Sequence, residues 1–78
     1  MPTALRIGSY RFHFYSDEGD EPAHVHVAFG SGEAKFWLGP PVNFARAKDL
    51  SSVRIRKIER LVRENCKSLK EAYDEFHL

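Results

Sequence analysis

The sequence predicts an α+β domain: a four-stranded antiparallel β-meander over about residues 4–38, packed on one face by one or two C-terminal amphipathic helices over about 51–77. Three observations predict it. Apolar and polar residues alternate through two stretches of the first half, each interrupted by a glycine-containing turn; a Gly-Pro-Pro run then breaks the pattern; and beyond Ser51 apolar residues recur at helical spacing. A chain of 78 residues has room for one core, so 1–78 reads as a single domain.

In the first stretch Leu5, Ile7, Tyr10, Phe12 and Phe14 share one side while Arg6, Arg11, His13 and Tyr15 share the other. Gly8-Ser9 fits a two-residue hairpin with glycine first, as a type II′ turn prefers, and sets Arg6 opposite Arg11. Ser16 to Pro22 is polar, acidic and broken by Gly19 and Pro22, which makes it a loop. In the second stretch Val25, Val27, Phe29, Phe36 and Leu38 take one face and His24, His26, Lys35 and Trp37 the other. Closing this hairpin around Ser31-Gly32 sets Trp37 opposite His26 and Lys35 opposite Ala28. Gly39-Pro40-Pro41 is expected to stop the sheet, because proline cannot donate to a ladder, and a linker then runs to about Leu50.

Ser51 or Ser52 is the expected helix N-cap, ahead of Ile55, Ile58, Leu61, Val62, Leu69, Tyr73 and Phe76 on one face. Ser68-Leu69-Lys70-Glu71 matches a capping box, so one helix is expected to about Cys66 and a second from Leu69, with a single bent helix as the alternative. The aromatic sheet face packed against the apolar helix face makes two layers.

Charge is balanced overall, with 12 Lys and Arg against 11 Asp and Glu, but not along the chain. Residues 1–39 carry three basic against five acidic groups, and residues 40–78 nine against six, so the halves hold −2 and +3. The lone Cys66 excludes an internal disulfide and has no metal-type Cys/His spacing around it, which suits a reducing compartment. Met1 to Ile7 shows no leader pattern, and no run of ~18 apolar residues occurs, so the expectation is a cytoplasmic protein without a membrane segment.

Glu21-Pro22-Ala23-His24-Val25-His26-Val27 is preceded by Leu5-Arg6-Ile7-Gly8 with Tyr10-Arg11-Phe12 and Phe14-Tyr15-Ser16, and followed by Ala34-Lys35-Phe36-Trp37-Leu38. With Ile58-Glu59-Arg60-Leu61-Val62, Glu64-Asn65, Glu71-Ala72-Tyr73 and Glu75-Phe76, these segments resemble the Domain of Unknown Function 4160 family over nearly the whole chain. The departures are Ala23 in place of a second proline, Gly39 where an acidic residue is common, and Asp49 where glycine is usual. Members of that family are often encoded beside another small protein and are suspected of forming toxin–antitoxin-like pairs. The resemblance therefore implies a bacterial, cytoplasmic interaction module with a small protein partner from a neighbouring gene. It supplies no catalytic residues and does not decide whether the chain is an enzyme.

The sites rest on the chain's own residues. Arg6, Arg11, His13, Tyr15, His24, His26, Lys35 and Trp37 form a candidate binding face, left open to water or a partner. His24 and His26, two apart on a strand, point to one side about 6–7 Å apart. Four readings stand side by side: a solvated strand face without function, a docking face for protein, an RNA-binding or ribonuclease surface, and a metal site. For a metal-independent ribonuclease the catalytic set is His24 and His26 as acid and base with Arg11 or Lys35 on the phosphate. Metal ranks last and no cofactor is expected, because His-x-His supplies two ligands and His13, Asp17 or Glu18 would have to converge on them. The acidic loop reads as a solvated turn, with a carboxylate that orients His24 as the sharper alternative. Arg56, Arg60, Arg63 and Lys67 form a basic helix stripe, solvated or lying along a nucleic acid or an acidic partner. A homo-oligomer stands as a further assembly.

Overall fold

The structure is a computed structural model that describes residues 3–78; the reading of Met1 and Pro2 as part of a leader-free terminus lies outside them. It holds one sheet of five strands, β1 (Thr3–Ile7), β2 (Tyr10–His13), β3 (His24–Phe29), β4 (Gly32–Trp37) and β5 (Asn43–Lys48), followed by α1 (Ser52–Glu64) and α2 (Cys66–Phe76). The strands lie in chain order and every neighbouring pair is antiparallel.

The fifth strand corrects the expected four. Gly39-Pro40-Pro41 ends β4 but not the sheet, because the chain reverses there and returns along β4's free edge, pairing Trp37 with Asn43 and Glu33 with Lys48. A bulge between Lys35 and Phe36 shifts the pairing, so Ala45 is passed over and Phe36 meets Phe44 while Lys35 meets Arg46.

The first hairpin closes as expected, with Arg6 opposite Arg11 and Gly8 at a positive φ of 55°. The second closes one position earlier than expected, which shifts its pairing by two. Phe29 pairs with Gly32 around Gly30-Ser31, again with the first turn glycine at positive φ, 57°. A slip of two residues leaves each side chain on its face but changes its neighbours: Trp37 lies opposite His24 and Lys35 opposite His26. Gly32 cannot carry a side chain, since a Cβ there would collide with the Asp49 carbonyl and the Leu50 side chain.

Phe12, Val25, Val27 and Phe36 from the sheet, with Phe14 and Leu38 just beyond β2 and β4, pack against Ile58, Val62, Leu69 and Tyr73 from the helices, all of them buried. Ser51 is the N-cap of α1, its Oγ accepting from the Arg54 N–H at 3.1 Å. The helices part at Asn65 rather than between Cys66 and Leu69. The Asn65 backbone N–H reaches the Leu61 and Val62 carbonyls, and its Nδ2 donates to the Leu61 carbonyl at 2.8 Å. Ser68 consequently lies inside α2 and caps nothing.

Candidate functional site

The strand register gathers basic groups into one rung across the polar side of the sheet. His13 of β2 pairs with His26 of β3, His26 with Lys35 of β4, and Lys35 with Arg46 of β5. Adjacent like charges destabilise a sheet unless opposite charges meet them. The chain supplies those charges itself: the segment Ser16–Pro22 folds back over the rung, beginning with a 3₁₀ turn at Ser16–Glu18. Glu18 Oε1 lies 2.7 Å from both His24 Nε2 and His26 Nε2. Lys35 Nζ donates to Glu21 Oε1 at 2.7 Å. Glu33, from within β4, places Oε2 3.1 Å from His26 Nδ1 and 3.3 Å from His13 Nε2, and accepts from the Tyr15 hydroxyl at 3.0 Å.

This cover corrects the expectation of an open polar face. His13, His24, His26 and Lys35 are each less than 5% exposed. What pins the loop is Tyr73 of α2, whose hydroxyl donates to the Glu21 carbonyl at 3.0 Å and lies 3.4 Å from the Glu18 carbonyl. Its ring sits against Phe14 and His24, with centroids 5.5 and 5.6 Å away. The helical layer thus reaches round the sheet's end to hold the loop over the histidines.

Of the remaining face residues, Arg6 and Arg11 stay exposed on the first hairpin. Trp37 is half-buried, with its ring 5.6 Å from His24 and under the Lys35 ammonium at 4.6 Å. The acidic loop realises the sharper of its two readings, a carboxylate that orients His24, and the same oxygen holds His26. The pairing of Glu21 with Lys35 escaped sequence reasoning because nothing in the local pattern tells which way a loop folds, and Glu33 escaped it because the expected register put that residue in the turn rather than in β4. On the helices Arg56, Arg60, Arg63 and Lys67 are exposed, but Arg63 is bound to Glu59 at 2.6 Å and Lys67 belongs to α2, so the four form no single line.

A cleft of about 450 Å³ opens beside the cluster, lined by Tyr15, Glu18, His26, Glu33, Arg46 and Lys48 among others. Burial alone would raise the Glu18 carboxyl, but the hydrogen bonds and charges of His24 and His26 prevail and lower it to about 2. Burial pushes the His26 imidazole below its ordinary value, against the pull of Glu18 and Glu33 upward. Burial, then the bond to Glu33, pushes the Tyr15 hydroxyl up. Both histidine Nε2 atoms meet at one carboxylate oxygen, which leaves no gap between them for a scissile phosphate, while Lys35 is held by Glu21. An acid–base pair flanking a phosphodiester is therefore not the chemistry this arrangement favours.

The sequence model of the family described as Domain of unknown function (DUF4160) matches residues 9–74. The chain belongs to that family. No curated protein sequence and no solved structure matches it significantly. No described helix is long and apolar enough to cross a membrane.

Proposed function

We propose that the chain is a protein-interaction module, one member of a bacterial toxin–antitoxin-like pair, and that it receives its partner along the free edge of β5. The observation that supports this is the contrast between the two sides of β4. On the β3 side His24, His26 and Lys35 are met by Glu18 and Glu21 of the chain's own acidic loop. On the other side β5 is bonded to β4 alone, and it exposes Phe44 at 47% together with Arg46 and Lys48. An unpaired edge offers a row of N–H and C=O groups to an incoming strand. Its two cations discourage pairing with a second copy of the same edge and favour a strand carrying acidic residues.

The test is co-expression of the tagged chain with the small protein encoded beside it, followed by quantitative capture. Phe44→Ser and the double charge reversal Arg46→Glu, Lys48→Glu are each expected to weaken capture by about 30-fold or more, the scale of an interface anchor. Undiminished capture by both variants, or no association with the neighbour at all, retires the reading.

A second reading, RNA binding, rests on Arg56 and Arg60, which are exposed on α1 and paired with no described carboxylate.

A further inference from the structure

The histidine cluster has a proton inventory that does not close. His24 Nδ1 lies 2.8 Å from the Pro22 carbonyl, which can only accept, so that nitrogen carries the ring's proton. The Nε2 of neutral His24 is then a bare lone pair, yet it is aimed at Glu18 Oε1 from 2.7 Å. His26 is in a similar position, its Nε2 bonded at 2.7 Å to the same Glu18 oxygen and its Nδ1 in charge contact with Glu33 Oε2 at 3.1 Å. His24 is thus held between two acceptors and His26 faces two, and a neutral imidazole has one proton to give.

Two remedies exist. Protonating both rings would place two imidazoliums in a buried site, their centroids 5.3 Å apart, beside the Lys35 ammonium and Arg46 on the same rung. The alternative is one cation accepted by both Nε2 lone pairs and the Glu18 carboxylate together. That arrangement turns every remaining contact to use. Pro22 and Glu33 then receive the Nδ1 protons, as outer partners of metal-bound histidines do. The three ligand atoms already lie within 4.8 Å of one another.

We propose that Glu18, His24 and His26 form a binding site for a first-row divalent cation, Zn²⁺ foremost. Two imidazoles and one carboxylate are a donor set that zinc and its neighbours accept, with three protein ligands and a remaining position for water or a bound group. With bonds of ~2.0–2.1 Å, tetrahedral ligands sit roughly 3.3 Å apart, so Glu18 must draw back from its 2.7 Å contacts and the two imidazoles must turn toward each other from the present spread of up to 4.8 Å. The cleft lined by Glu18 and His26 gives the ion a route in from solvent. Tyr73, by fixing the loop, fixes the third ligand. None of the three ligands lies on β5, so the site is tested separately from the docking reading.

The experiment uses the full chain, stripped with chelator and titrated with Zn²⁺ by calorimetry and with Co²⁺ in the visible range. One equivalent of Zn²⁺ per chain is expected, with Co²⁺ bands of four- or five-coordinate N/O ligation and a melting midpoint that rises with free Zn²⁺. Removing an outer partner, Glu33→Gln, is expected to weaken affinity about 10–100-fold, and removing a ligand, His26→Gln or Glu18→Gln, to weaken it further. Circular dichroism checks that the variants fold. Because a buried histidine variant can unfold the chain, imidazole ¹⁵N spectra of the wild type give a second readout: Zn²⁺ shifts Nε2 of His24 and His26 and leaves His77 unmoved. Failure of the stripped wild type to take up Zn²⁺ at micromolar concentration overturns the proposal. So does binding that persists in a folded His24→Gln, His26→Gln chain, or shifts confined to other histidines.

Discussion

At the scale of single residues, one hydroxyl decides what the polar side of the sheet is. Tyr73 was legible in the sequence as a core residue from its helical spacing, and its ring is indeed buried. Its second role was not legible, because a hydroxyl that reaches 52 and 55 residues back in the chain leaves no local trace. The same holds for Lys35 and Glu21: alternation assigns Lys35 to the polar face, but only the folded loop shows that a carboxylate waits there. Tyr73→Phe keeps the ring and removes the tether. It is expected to cost about 1 kcal/mol, the net worth of such a hydrogen bond, and to lower the melting midpoint by roughly 4–8 °C for a domain this small. Hydrogen exchange should quicken in Ser16–Pro22 more than in the strands, since the loop loses its anchor while the sheet ladder stays intact. Equal acceleration across β3 and the loop would show that Tyr73 acts through the core alone.

At the scale of elements, the strands and helices that the sequence displays openly are those with strong alternation or strong helical period. β5 was missed for a physical reason. The positions it pairs with the core residues Phe36 and Ala34 are Phe44, itself exposed, and Ala47, with Ala45 bulged out and lysine and arginine on the other side, a composition poor in the β-branched residues that mark strands. A proline pair before it reads as an end, when it serves here as a corner. The second hairpin was displaced because Gly30-Ser31 and Ser31-Gly32 are both acceptable turns; the Gly-Ser order of the first hairpin was the available clue. The capping box at Ser68 was outcompeted by Asn65, whose amide captures a helix carbonyl and ends α1 first. Two substitutions separate these assignments. Ser51→Ala removes a working cap and is expected to cost about 1 kcal/mol. Ser68→Ala lies within a helix, where alanine is the better helix former, and is expected to change stability by no more than about 0.5 kcal/mol. Urea denaturation of both variants checks the pair, and a loss at Ser68 matching that at Ser51 would place a helix start there.

At the scale of the whole molecule, the two half-charges seen in the sequence become two regions. The acids Glu18 and Glu21 are spent on the chain's own histidines and lysine, while most exposed cations lie on the helices and β5, with Arg6 and Arg11 on the first hairpin. A nucleic-acid reading drawn from the helix stripe assumed four cations along one line. The break at Asn65 puts Lys67 on α2, and Glu59 holds Arg63, which leaves Arg56 and Arg60 as the free pair of that line on α1. Each phosphate neutralised on a single strand contributes about −0.7 to the log–log dependence of affinity on salt, so two contacts give a slope of about −1.4 and four would give about −2.8. With the isolated chain and short RNA and DNA oligomers, any retention is expected to follow the shallower slope. Lys67→Gln should leave that slope unchanged, and Arg56→Gln with Arg60→Gln should flatten it nearly to zero. A slope near the steeper value that Lys67→Gln reduces would mean that one strand spans both helices. That result would favour the RNA reading over the docking edge, because a phosphate backbone laid across both helices would engage cations that a strand added to β5 need not touch.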